Sequence, residues 1–488
     1  MANSTTSIAL TPLDHTLPKF YLPYMLYFNT PDTKTAFQTL HDGVKKLVSH
    51  LPWLAGDVTY SSEPSGPQNR GHIVAPSGPL EAVPMLHVKS FDRDDDSHTL
   101  PMNSYLPLPC FIPPSQQRPV VRFQANVFPN RIILVMSFLH FALDGTGAGV
   151  ILRALAECCC NAKSAPNATG MASTTASVAE NEINLRNQIS SWPSRCNAPV
   201  STQSLELATP FFDPNITSEQ WAAMEAAMSS GVRTRRFTFS AEKIALLKQT
   251  CSSEFLPRLS PSSAFVSSND IVTAVLGIAV DRAQDPSKAR RRNDESENEN
   301  ARLTLTVDLR SRVQPPLPST FVGNMNYPAY CEIQHLGQDQ WSKPSQDNNN
   351  NNNRNNEEEA DLLALTQLAL QLRGKLSSMN ESLAYSVSAA VADLEDWTKL
   401  ESKPGNVVVT TWRHLDSYAL DFGDDLGKIV DFEAGLSLIP GACIVLPARE
   451  KAQKGEAAES VPWEVNITVK PGDMDVLVGD PLLAMILA

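Results

Sequence analysis

The sequence predicts a mixed α/β protein built as two halves of interleaved strands and helices. Three observations predict it. Strand-like and helix-like segments alternate along the whole 488-residue chain instead of separating into blocks. Each half carries a paired-strand signal. A Pro- and Ser-rich stretch near the middle separates two regions, and each is long enough to bury its own core. The composition, 42% hydrophobic and 19% charged, supplies the apolar residues those cores need.

The first half is assigned to residues 1–192. "FYLPYMLYFNT" (20–30) reads as a strand. Residues 32–51 follow as a helix, with a capping Asp or Thr and apolar Phe37, Leu40, Val44 and Leu47 at helical spacing. Residues 52–60 return extended. Pro129-Asn130 marks a tight hairpin between "RPVVRFQANVF" and "RIILVMSFL". The second of these strands ends at His140, and "GTGAGVILRALAECCC" continues as a helix. Residues 161–181 are small and polar and read as a surface loop or linker.

The crossover is placed at 193–235, with "DPNITSEQWAAMEAAM" as a helix inside it. The second half, 236–488, follows the strand–helix text "RTRRFTFSAEKIALLKQTC". Residues 267–283 read as a strong helix with an Asn/Asp start. Strands are expected at 302–313 and 406–415, and "GACIVLPA" and "WEVNITVK" as a closing antiparallel pair. The charge run at 287–302 and the Asn-rich, acidic run at 345–361 read as solvated, disordered inserts. No repeat of solenoid period occurs.

The net charge of −13 and pI near 5.2 argue against a general nucleic-acid binder, which would carry a basic footprint. The eight Cys have no zinc spacing, so no metal is expected. No basic-then-apolar leader and no apolar run of about 18 residues is present. A soluble, cytoplasmic monomer is expected.

"VMSFLHFALDGTGAGVILRAL" (135–155) carries the chemistry. Chance supplies about 0.5 His-x-x-x-Asp matches in such a chain, and about 0.02 once Gly must follow. His335 to Asp339 is a second His-x-x-x-Asp match without the Gly, and reads as a decoy. His140 leaves an apolar strand at a turn and a Gly-rich helix start, where backbone N–H groups are free. Imidazole is suited to removing a proton from a hydroxyl or amine. No Gly-x-Ser-x-Gly elbow exists, so a catalytic His140 would activate the acceptor directly.

With "HFALDG", five further pieces occur in order. They are "LTPLDHTLPKFYLPYMLYF", "LVSHLPWLAGDV", "VSSNDIVTAVL", "VDLRSRVQPPLPSTFVGNMNY" and "VTTWRHLDSYALDFG". Together they resemble the BAHD-type acyl-CoA-dependent acyltransferases, in the fungal branch of trichothecene 3-O-acetyltransferase-like enzymes. The resemblance implies two chloramphenicol-acetyltransferase-like α/β domains with a solvent channel between them. It implies an acyl-CoA co-substrate, no permanently bound cofactor, and a small hydroxylated natural product as acceptor. His140 would be the base, with Thr410 and Trp412 beside the oxyanion. Asp144 would turn away from the channel and hold the catalytic loop by pairing with Arg310, or with Arg312 as second choice.

Gly145 and Asp421 would support the site, although "DFGDDLGK" departs from the family's Asp-Phe-Gly-Trp-Gly. Ser267 and Ser268 are candidate CoA contacts, with helix capping as the alternative. Lys243 and Lys248 are further phosphate candidates. Tyr24, Tyr27 and "SYLPLPCFIPP" are candidates for the acceptor side. The competing readings are an amine acceptor, a non-catalytic binder, and a condensation domain. The last normally carries a second His where this chain has Leu139.

Overall fold

A computed structural model of the chain describes residues 7–61, 67–93, 102–160, 173–196, 205, 207–208, 216–260, 264–286, 301–334, 350–435, 437–449 and 461–488, with backbone alone at 102, 208 and 350–355. Two larger sheets organise it. The first has five strands, in the order Asp431–Ala434, Tyr21–Asn29, Arg131–Leu139, Val121–Phe128 and Leu86–Ser90. All pairings are antiparallel except the last. The second has six strands, in the order Asn326–Glu332, Arg302–Asp308, Val407–Thr411, Ala442–Val445, Trp463–Val469 and Arg233–Phe239. The two pairings around Val407–Thr411 are parallel and the rest antiparallel.

The strand that delivers His140 is apolar without alternation because both of its faces are covered. Ile132, Leu134, Met136 and Phe138 enter the main core under the helices Thr33–His50 and Gly145–Cys160. Ile133 and Val135 point the other way, to a smaller cluster with Met25, Tyr105 and Phe128. The Thr33–His50 helix starts on Asp32, whose side chain accepts from the Thr35 N–H. In the second half, Ser268–Gln284 is buried from Asp270 to Asp281 and forms the centre of its core.

The chain is not partitioned strictly in order. After Val407–Thr411 it returns to the first half: Trp412, Leu415, Phe422 and Phe432 lie in the first core. Asp431–Ala434 then pairs with Tyr21–Asn29. The crossover contains the helix Ser218–Ser230, whose Thr217 and Gln220 form a capping box. A short strand pair, Leu207–Ala208 with Glu401–Ser402, ties the crossover to the second half.

Two expected loops are corrected. Thr174–Ser190 is a helix, so the surface loop does not extend to 181. Asn350–Ser378 is also a helix, so the end of the Asn-rich insert continues into regular structure. Residues 287–300 and 335–349 lie outside the described residues, and with them the decoy pair His335 and Asp339. Among the described residues, no helix is long and apolar enough to cross a membrane.

The two halves meet at the start of the histidine helix. A Cβ built on Gly147 would sit 2.0 Å from the Val322 carbonyl oxygen of the second half. Backbone cannot yield as a side-chain tip does. Gly147→Ala is therefore expected to lower stability by about 1–3 kcal/mol or more and to lower activity with it. Gly78→Ala, where a Cβ would meet nothing within 4 Å, is the control and should melt like the parent. Thermal denaturation of both variants checks this.

Candidate active site

A cavity of about 240 Å³ lies between the two sheets. One wall carries Tyr21, Leu22, Pro23 and His140, and the facing wall carries Thr304, Thr306, Val408, Thr410 and Cys443. Gly435 and Ser437–Ile439 on the returning segment close one side, and Trp221 and Met228 of the crossover helix complete it. His140 is among the residues lining this cavity.

The ring of His140 has a defined tautomer. Its Nδ1 lies 3.2 Å from the Leu143 carbonyl oxygen. A carbonyl only accepts, so Nδ1 carries the hydrogen and Nε2 keeps its lone pair. Burial lowers the His140 pKa below 6.5, partly opposed by its own backbone, Asp144, Leu143 and Asn324. The ring is therefore neutral at neutral pH and able to accept a proton. His15 makes a useful contrast. It is 1% exposed, and both ring nitrogens are used: Nδ1 faces the Trp397 carbonyl at 3.3 Å, and Nε2 accepts from the Gly71 N–H at 3.1 Å.

Asp144 is fully buried and does not touch the imidazole nitrogens. Arg310 grips it with both guanidinium arms, Nη1 to Oδ2 and Nη2 to Oδ1, each at 2.9 Å. Asp144 also accepts from the Gly147 N–H at 2.8 Å and the Met325 N–H at 3.0 Å. Burial pulls the Arg310 pKa down, but Asp144 and Asp308 outweigh it and hold the guanidinium above its usual value. Arg310 is the observed partner. Arg312, the second choice, donates to the carbonyls of Leu376 and Met379 instead.

Three residues absent from the expected site hold the same loop. Arg186 donates to the Ala142 carbonyl at 3.0 Å and to Asp14 at 3.0 Å, and pairs with Glu182 at 2.8 Å. Asn324 donates to the Phe141 carbonyl at 3.2 Å and to Asp14 at 2.7 Å. Its Oδ1 is buried without a hydrogen-bond partner, and Asn324 favours the charged form of the His140 ring. Asp14 and Asn324 both fall within text that carried the family resemblance, "LTPLDH" and "VGNMNY". That text was the available signal.

The remaining expected residues divide. Thr410, Trp412 and Gly145 line the cavity. A Cβ on Gly145 would lie 2.7 Å from Trp412 Nε1 and 2.8 Å from the Tyr24 hydroxyl, so only glycine fits there. Tyr24 is fully buried and does not line the cavity. It donates to the Gly145 carbonyl at 3.0 Å and packs edge-on against Trp412. Tyr27 is also absent from the lining, whereas Cys110 of "SYLPLPCFIPP" is part of it.

Ser267 caps the Ser268–Gln284 helix through a reciprocal box with Asp270, and Arg373 holds both. Capping is thus the role the structure gives Ser267, and neither Ser267 nor Ser268 lines the cavity. Asp421 is exposed and accepts from the Gly423 N–H at 2.9 Å, a local turn away from the cavity. Lys243 donates to the Leu487 carbonyl at 2.6 Å, and neither it nor Lys248 lines the cavity. Among the described residues no His, Cys, Asp and Glu cluster could hold a metal.

Removing one partner of a buried ion pair leaves the other charge uncompensated, at a cost of about 3–5 kcal/mol. Asp144→Ala is expected to lose that much stability in urea denaturation and nearly all activity. Unchanged melting together with unchanged activity would contradict the loop-holding role.

A family model described as the Transferase family matches residues 2–480. Among curated relatives, the communesin N16 acyltransferase of Penicillium expansum is 29% identical over 493 residues, covering 97% of this chain and 96% of the relative. The fumigaclavine B O-acetyltransferase of Aspergillus fumigatus is also 29% identical, covering 97% and 96%. The fold is similar to that of F. sporotrichioides TRI101, solved with coenzyme A and T-2, at a TM-score of 0.71, 19% identity and 99% coverage of both chains. It is similar to vinorine synthase at a TM-score of 0.58 and 16% identity, covering 100% of this chain and 95% of that one. With the matched family model spanning nearly its whole length, this chain belongs to the Transferase family of BAHD-type acyltransferases.

Proposed function

We propose that this enzyme transfers an acyl group, most simply acetyl, from its CoA thioester to a hydroxyl of a small secondary metabolite. Donor and acceptor meet in one ternary complex at His140. The observation that carries this reading is the tautomer. With Nδ1–H spent on Leu143, the ring offers Nε2 as a base at the wall of a cavity between the two sheets. The O-acetyltransferases among the relatives and the CoA-bound structures of the same fold support the choice of donor and reaction.

The steps balance without a further reagent. Nε2 of His140 takes the acceptor's hydroxyl proton as its oxygen attacks the thioester carbonyl. The tetrahedral oxyanion is held by the Thr410 hydroxyl and the Trp412 indole N–H. The C–S bond breaks, and the imidazolium returns its proton to the thiolate. Asn324 and Asp144, which favour the charged ring, stabilise the imidazolium between those two proton transfers. The mainly apolar lining suits an apolar acceptor and keeps water from competing.

His140→Ala should lower CoA-thiol release by about 10²–10⁴-fold and leave melting near that of the parent. Thiol release from acetyl-CoA with a panel of polycyclic alcohols measures it. The base must be deprotonated to act, and burial lowers its pKa. Accordingly kcat/KM should rise with pH through an inflection below 6.5 and then stay flat to pH 8. An inflection above 7 would contradict the assignment.

A further inference from the structure

We propose that the crossover helix Ser218–Ser230 reads the acceptor, and that Glu225 selects acceptors carrying a protonated nitrogen beside an apolar body. This rests on the acyl-transfer reading of the cavity. Trp221, Glu225, Met228 and Ser229 fall at helical spacing on one face. Trp221 and Met228 line the catalytic cavity. Glu225 and Ser229 line a smaller cavity of about 40 Å³, which shares Tyr21, Pro23, Cys110 and Leu438 with the larger one. One face of the helix therefore borders two adjacent cavities.

That surface has the chemistry of an ammonium site. Trp221 is 3% exposed, anchored by its ring against Phe111 at 4.6 Å, and its Nε1 donates to Glu225 Oε2 at 3.0 Å. An indole N–H satisfies one lone pair but does not neutralise the carboxylate. Among the described residues no Lys or Arg pairs with Glu225. The other groups around the small cavity stay neutral: burial, then Glu225, pushes the Cys110 thiol up to about 12, and burial raises Tyr21. In the larger cavity Glu401 is already paired with Lys19 at 2.9 Å, and Lys403 is exposed. Among the described residues, Glu225 is thus a half-buried carboxylate with no cationic side chain paired to it, beside an aromatic ring. A cation there gains a charge-assisted hydrogen bond to the carboxylate.

The test compares tropine, a tertiary-amine alcohol, with bicyclo[3.2.1]octan-3-ol, its neutral carbocyclic counterpart. Binding to the parent enzyme and to Glu225→Gln is measured by calorimetry. Gln keeps an oxygen for the Trp221 N–H, so the variant changes charge and little else. Tropine should bind about 10-fold more weakly to the variant, while the neutral alcohol binds both alike. Equal affinity of tropine for both proteins, absence of tropine binding to the parent, or preference of the parent for the neutral alcohol would overturn the proposal. Thiol release with acetyl-CoA runs in parallel. Its absence with every alcohol counts against acyl transfer, while the calorimetric comparison still decides the role of Glu225.

Discussion

The site depends on the two-armed ion pair between Asp144 and Arg310. These residues lie 166 positions apart and belong to different halves of the chain. Asp144 is fully buried, and Arg310 is 5% exposed. Desolvating two charges costs several kcal/mol per ion, and their attraction rarely returns much more. Such a pair is therefore a poor source of net stability. Its value is geometric: two parallel hydrogen bonds fix the carboxylate, the carboxylate fixes the Gly147 and Met325 N–H groups, and the turn carrying His140 has one position between the two halves.

A second buried cluster completes the hold. Asp14 receives Arg186 and Asn324, and these donate onward to the carbonyls of Ala142 and Phe141. With Leu143 accepting from the imidazole itself, the carbonyls of Phe141, Ala142 and Leu143 each have a side-chain donor. A five-residue turn would otherwise sample many conformations. Here nearly every polar atom that could let it move is already engaged, so His140 enters the cavity with its tautomer and direction set. That is preorganisation of a base rather than a charge relay, since Asp144 acts on the ring only through space.

Much of this was legible in the sequence, for physical reasons that differ by element. The strand ending at His140 was readable because both its faces are buried, which makes its apolar run continuous. The hairpin at Pro129-Asn130 and the cap at Asp32 were readable because turn and cap chemistry is local. The helix Thr174–Ser190 was not, because its buried face is Val178, Glu182, Arg186 and Ile189, half of it an ion pair. Apolar periodicity is blind to a charged pair turned inward. The return of Asp431–Ala434 to the first sheet was equally hidden, since four residues hold no record of a partner more than 400 positions earlier. Arg310, Thr410 and Trp412 were reachable only through resemblance to a family. Asp14 and Asn324 lie within the stretches that carry the resemblance and Arg186 does not, but the roles of all three stay hidden there because they exist only once distant segments meet.

The central claim is that the folded chain delivers His140 with Nδ1 protonated and Nε2 bare. Nitrogen-15 NMR of the histidine-labelled protein tests it directly, with the His140 signals assigned by their loss in a His140 variant. The account predicts that at pH 7.5 the Nδ1 signal falls in the protonated range and the Nε2 signal in the lone-pair range. A ring protonated on Nε2, or one averaging between the two tautomers, would contradict it.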